Sequence, residues 1–158
     1  MKKAIRAGAT FWNHGLEGAC EGGHVKIADK MISMGATFWN HGLYGACKGG
    51  HVEIVDKMIK RGATMWNCGL EGACEGGHLG IVNDMIRKGA TKWDGGLRCA
   101  CYSGHLEIAE LMVEKGGNQC LQHSGLFSEM DSHGMNHNTA DEDCRFAQTF
   151  TFRTRSKD

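Results

Sequence analysis

Gly-Ala-Thr recurs at Gly8, Gly35, Gly62 and Gly89, each time 27 residues after the last. Four units follow: GATFWNHGLEGACEGGHVKIADKMISM, GATFWNHGLYGACKGGHVEIVDKMIKR, GATMWNCGLEGACEGGHLGIVNDMIRK and GATKWDGGLRCACYSGHLEIAELMVEK. The first two are identical at 21 of 27 positions. A fixed period of this length marks supersecondary units that bury their faces on their neighbours. The units occupy 8–34, 35–61, 62–88 and 89–115, between a short segment 1–7 and a polar segment 116–158.

Each unit predicts two short helices. The first runs from about Gly15 to Glu21, with Leu16, Ala19 and Cys20 at i, i+3, i+4 forming one apolar stripe. Asn13 is expected as its N-cap, matched by Asn40, Asn67 and Asp94. Gly22-Gly23 stops it, because Gly takes the left-handed conformation that closes helices. The second helix runs from Val25 to Ser33, with a buried face expected from Ile27, Ala28, Met31 and Ile32. Two turns of helix do not stand alone in water, so an all-α solenoid of stacked pairs is the expected fold. Residues 3–8 align with residues 30–35, so 1–7 reads as the last turn of a preceding unit.

The pattern L-x-x-A-C-x-x-G-H-x-x-I-x-x-x-M-I-x-x-G-A resembles the ankyrin repeat. Leu16, Ala19, Gly23, His24, Ile27, Ile32, Gly35 and Ala36 fall on its positions. Ankyrin units span about 33 residues; the difference falls in the segment that builds their β-hairpin finger, between Gly8 and Leu16 here. The resemblance therefore implies helix-turn-helix units joined by short loops in place of fingers. His14-Gly15 stands where the family has Thr-Pro, so the first helices should begin less firmly. Short units with Trp-Asn at this place also look similar to ankyrin-like proteins of large DNA viruses of amoebae.

Composition narrows the partners. Lys plus Arg and Asp plus Glu are 18 each, so the chain lacks the basic excess that nucleic acid or an anionic membrane usually selects. No apolar run approaches the length of a membrane span, and Arg6, Asn13 and His14 interrupt what a signal peptide would need. Cysteines at repeat positions read as reduced thiols in an intracellular, cytoplasmic protein, the host cytoplasm if the source is viral. Residues 117–158 hold 6 acidic and 4 basic side chains with no helical period, and read as a largely disordered tail. Phe150-Thr151-Phe152 hints at a strand, and His123, His133 and His137 lack ligand spacing.

Four copies of C-x-x-x-H (Cys20/His24, Cys47/His51, Cys74/His78, Cys101/His105) raise a zinc reading. Zinc needs its ligands about 2.0–2.3 Å from one point, whereas equivalent residues of stacked helices sit about 8–10 Å apart. The Cys therefore reads as a small buried residue and the His as the structural His the resemblance implies. No nucleophile, oxyanion or phosphate-loop signature appears, so neither catalysis nor a cofactor is expected. Met31, Met58, Met85 and Met112 read as core.

Trp12, Trp39, Trp66 and Trp93 recur at one position, with two readings: rings that cover the core end left open by the missing finger, or an aromatic strip for a partner. Variation between units falls on the outer face of the first helix, at Glu17/Glu21, Tyr44/Lys48, Glu71/Glu75 and Arg98/Tyr102, each an i, i+4 pair. Ankyrin-type proteins resemble one another in holding partner proteins on this face, which makes a non-catalytic protein-binding module the expectation. A solvated face drifting neutrally is the bland alternative. A scaffold that self-associates weakly through uncapped ends, or a truncated repeat-gene product without its own role, are the rival functions. Gly18, Gly45 and Gly72 inside the first helices cost about 1 kcal/mol each relative to Ala. Only marginal stability is expected, with Gly18→Ala stabilising unless close packing needs the missing Cβ.

Overall fold

A computed structural model describes residues 2–117, with side chains from residue 11 onward. Among the described residues the chain is all-helical: α1 Lys2–Glu21, α2 Val25–Ser33, α3 Trp39–Gly49, α4 Val52–Lys60, α5 Trp66–Gly76, α6 Leu79–Arg87, α7 Trp93–Ser103 and α8 Leu106–Glu114. From α2 onward each helix starts 27 residues after its equivalent. The segment expected to be disordered, with its Phe150–Phe152 alternation and its histidines, lies outside the described residues.

The chain divides into two compact units, Met1–Lys92 and Trp93–Asp158. In the first, α3 packs against α1 and α5 against α3, while each second helix packs on its own first helix. In the second, α7 packs on α8. Leu16, Leu43 and Leu70 are fully buried along the first helices, with Cys20, Cys47 and Cys74 beside them. Ile54, Val55 and Met58 of α4, and Ile81, Val82 and Met85 of α6, complete this core.

The asparagines do a different job from the one expected. The residues preceding α3 and α5 are Phe38 and Met65, neither of which makes a side-chain cap bond. Asn13 instead lies inside α1, and its Oδ1 accepts the backbone N–H of Thr37 at 2.8 Å and of Phe38 at 3.1 Å. Asn40 holds Thr64 and Met65 at 2.9 and 3.0 Å. Asn67 holds Thr91 and Lys92 at 2.8 and 3.0 Å. Each Asn thus ties down the loop of the following repeat. It is a staple between units, which the sequence of one unit does not display.

This staple explains a contrast within one peptide. Residues 8–16 and 35–43 share the sequence GATFWNHGL. The second copy is a loop until Trp39, with Thr37 and Phe38 N–H drawn onto Asn13; the first copy is helical throughout, inside α1. Residues 8–16 instead continue the helix that starts at Lys2. The first helix of the first repeat therefore does not begin at Gly15, and its turn runs unbroken from residues 2–7 into 8–21. Replacing Asn40 by Ala should cost about 1–3 kcal/mol, because two backbone donors lose their acceptor at once; urea unfolding measures it.

The first repeat also departs from the expected burial. In α2 only Ala28 is buried, and Ile27 is 50% exposed, while Ile54 and Ile81 at the same position are 1% and 4% exposed. Methionines pack against the Gly starts of the first helices. A Cβ on Gly42 would lie 2.6 Å from Met58 Sδ, and one on Gly69 would lie 2.6 Å from Met85 Sδ. The thioether fills the space that a side chain would take.

Candidate partner-binding surface

The first-helix face carries a connected polar row. Glu21, Lys48 and Glu75 occupy the same repeat position near the C-terminal ends of α1, α3 and α5. Lys48 Nζ lies 3.2 Å from Glu21 Oε1 and 3.1 Å from Glu75 Oε1, so one cation links three helices. The Tyr44 hydroxyl donates to Glu75 Oε2. On the same face His41 Nδ1 lies 3.4 Å from Glu17 Oε2. Tyr44 and Lys48 are i, i+4 neighbours on α3, which puts both on one side of the helix. Glu71 is half-buried on α5, without an ion pair among the described residues. In the second unit, Arg98 and Tyr102 are exposed on α7, Tyr102 at 80%.

The charges tune one another. The Tyr44 hydroxyl, then Lys48, hold the Glu75 carboxyl below the usual carboxylate range. Glu75, then Glu21, push the Lys48 ammonium above its ordinary value. These groups are partly exposed, so the row adds little to stability. What it adds is a fixed arrangement of two carboxylates, an ammonium and a phenol in contact with solvent.

The tryptophans are half-buried in all four repeats. The Arg61 guanidinium carbon sits 5.9 Å from the Trp39 ring centre, and Lys88 Nζ sits 5.6 Å from that of Trp66. Each cation comes from the end of its own repeat's second helix, 22 residues after the ring it covers. Cation–π contact at this distance holds each ring against its own repeat. These cations were legible only as a recurring basic position, since the sequence gives no sign that they fold back. The residues preceding the rings, Phe38 and Met65, are half exposed, and Phe38 lies 5.3 Å from the His41 ring.

The Cys and His series have structural roles. Burial pushes the Cys20 thiol up to about 11 and the Cys47 thiol up to about 12. A protonated, buried thiol is a poor nucleophile and a poor metal ligand. The histidines turn away from the cysteines: His51 Nε2–H donates to the Glu21 carbonyl at 3.0 Å, and His78 Nε2–H to the Lys48 carbonyl at 3.0 Å. Among the described residues no group of three or more His, Cys, Asp or Glu side chains could hold a metal ion. No helix among them is long and apolar enough to cross a membrane. Neither a protein-family model nor a curated protein sequence matches the chain.

These shifts set a pH window for stability. Glu75 titrates lower when folded, so its contribution is complete above about 4.5 and is lost as pH falls towards its folded value. The buried thiols titrate higher when folded. Their contribution is complete below about 9 and falls as pH rises from there towards 12. Thermal melts across pH should therefore plateau between these limits and decline on both sides. A melting temperature that holds steady from pH 8 to pH 11 would contradict the thiol account.

Proposed function

We propose that the chain is a non-catalytic protein-binding module, an ankyrin-like solenoid with short loops in place of fingers, which holds its partner on the first-helix face. The observation that carries this reading is the Glu21–Lys48–Glu75 row with Tyr44. The core positions repeat from unit to unit while this face varies, and its polar groups are held in place before a partner arrives. Pre-organisation reduces the ordering cost that weakens polar interfaces. Tyr44 supplies an aromatic anchor of the kind that concentrates binding energy. Trp12, Trp39, Trp66 and Trp93 are half-buried, and Trp39 and Trp66 are already engaged by cations. Cys20, Cys47 and Cys68 are free thiols, which favours a reducing, intracellular setting.

The test is quantitative capture from an extract of the source cell, with the wild-type chain and with Tyr44→Ala/Lys48→Ala as baits. The double variant should keep its helicity and lose about tenfold in affinity, about 1.4 kcal/mol, for the captured partner. Undiminished capture by a folded double variant would remove this face from the interface.

A further inference from the structure

Two parallel rows cross the first helices of the first unit. One holds Glu21, Lys48 and Glu75; the other, about one turn earlier, holds Glu17, Tyr44 and Glu71. The helices stand close together here. A Cβ on Gly45 would lie 2.6 Å from the Glu17 carbonyl oxygen, and one on Gly72 would lie 2.6 Å from that of Tyr44. At that separation a glutamate on an outer helix reaches the middle one. Glu21 and Glu75 both do so, meeting Lys48 Nζ at 3.2 and 3.1 Å. Glu17 does so too, its Oε2 lying 3.4 Å from His41 Nδ1 of α3.

The rows differ in what stands between the carboxylates. In the first, the protein supplies its own cation. In the second, it supplies an aromatic ring. The Tyr44 ring lies across Gly72, its Cδ2 3.1 Å from where a Cβ would stand, and its hydroxyl donates to Glu75. Glu17, Tyr44 and Glu71 are all half-buried, so solvent reaches each of them. Glu71 has no ion pair among the described residues. Charge on this face is also one-sided. Among the described side chains of the first unit, Lys48 is the one lysine or arginine on a first helix; the others lie on the second helices and the loops after them. Four glutamates against one lysine give the face a formal charge of −3, although the whole chain is neutral.

We infer that the partner presents an arginine to the second row, its guanidinium stacked on the Tyr44 ring and donating to Glu17 and Glu71 as the Lys48 ammonium does to Glu21 and Glu75. The inference rests on the first-helix face being the interface. The chemistry follows from the molecule itself: the Lys48 row shows a cation held by two glutamates at these repeat positions, and the Tyr44 row repeats the glutamates with a ring between them. Arginine suits that place better than lysine, because a planar guanidinium stacks on a ring while its N–H groups meet carboxylates at its edge. Arg61 over Trp39 is the same pairing within the chain.

Fluorescence anisotropy of the full chain with three labelled peptides tests this. The first is Gly-Gly-Arg-Gly-Gly-Arg-Gly-Gly; the others carry lysine, or citrulline, which keeps the shape of arginine and loses its charge. The arginine peptide should bind at least about tenfold more tightly than the citrulline peptide, with the lysine peptide in between. Glu17→Gln/Glu71→Gln should keep wild-type helicity and weaken arginine binding at least about tenfold; Glu71→Gln alone serves if the double variant does not fold. Glu53→Gln/Asp56→Asn removes the same charge from exposed positions of α4 and should leave binding within about twofold. Equal binding of the arginine and citrulline peptides would overturn the inference, and so would equal weakening by the two double variants. Capture of the cellular partner separates this inference from the wider reading. A partner lost by Tyr44→Ala/Lys48→Ala but held in full by Glu17→Gln/Glu71→Gln sinks the arginine and spares the face. A partner held by both removes the face as well.

Discussion

Gly76→Ala lowers the free energy of unfolding by about 2–3 kcal/mol, although helix propensity alone would make Ala the better residue by about 1 kcal/mol. The deciding quantity is a distance. A Cβ on Gly76 would lie 2.0 Å from the Lys48 carbonyl oxygen and 2.8 Å from its carbonyl carbon. Both are backbone atoms, which yield only if α3 and α5 part. The same carbonyl accepts the His78 Nε2–H, so a retreat of the backbone also strains that bond. Gly18→Ala is the matched control. Its Cβ meets nothing, so propensity acts unopposed and the variant should gain about 0.5–1 kcal/mol. Urea denaturation of the two variants beside the wild type gives both signs in one experiment. A stabilising Gly76→Ala would mean that the first helices do not approach as closely as described.

Leu43→Ala should cost about 3–4 kcal/mol, within the range for truncating a fully buried Leu. Leu43 has no exposed surface, and it lies on α3, which has α1 on one side and α5 on the other. The site cannot collapse inward without moving both neighbours, so most of the cavity should persist. Ile27→Ala removes a side chain of similar size from α2 and should cost only about 1 kcal/mol, because Ile27 is half exposed. The gap between the two separates burial by neighbouring repeats from hydrophobicity as such. Equal costs would contradict the burial described for the first repeat.

What the sequence made legible follows from how local each signal is. The second helices begin and end where the glycines and apolar spacing place them, because a two-turn amphipathic helix and its stops are written within a few residues. The first helices begin at Trp39 and Trp66, earlier than expected, and their Asn residues serve the next repeat. That role depends on a partner 24 residues away, which no window of one unit contains. The peptide GATFWNHGL makes the same point, being loop where Asn13 holds it and helix inside α1. Interior glycines read alone suggested weak helices. Gly45 and Gly72 are instead where backbones meet, and only Gly18 fits the original expectation. On the candidate surface, the variable pairs were visible as the places where units differ. Their pairing through Lys48 was not, because Glu21, Lys48 and Glu75 come together only when three helices lie side by side.

The account stands most directly on where a partner sits. Hydrogen–deuterium exchange of the captured complex against the free chain reads that location. The account predicts slowed exchange in peptides from Trp39–Gly49 and Trp66–Gly76, with Val52–Lys60 and Leu79–Arg87 unchanged. Protection confined to the second helices, or to residues 118–158, would contradict it.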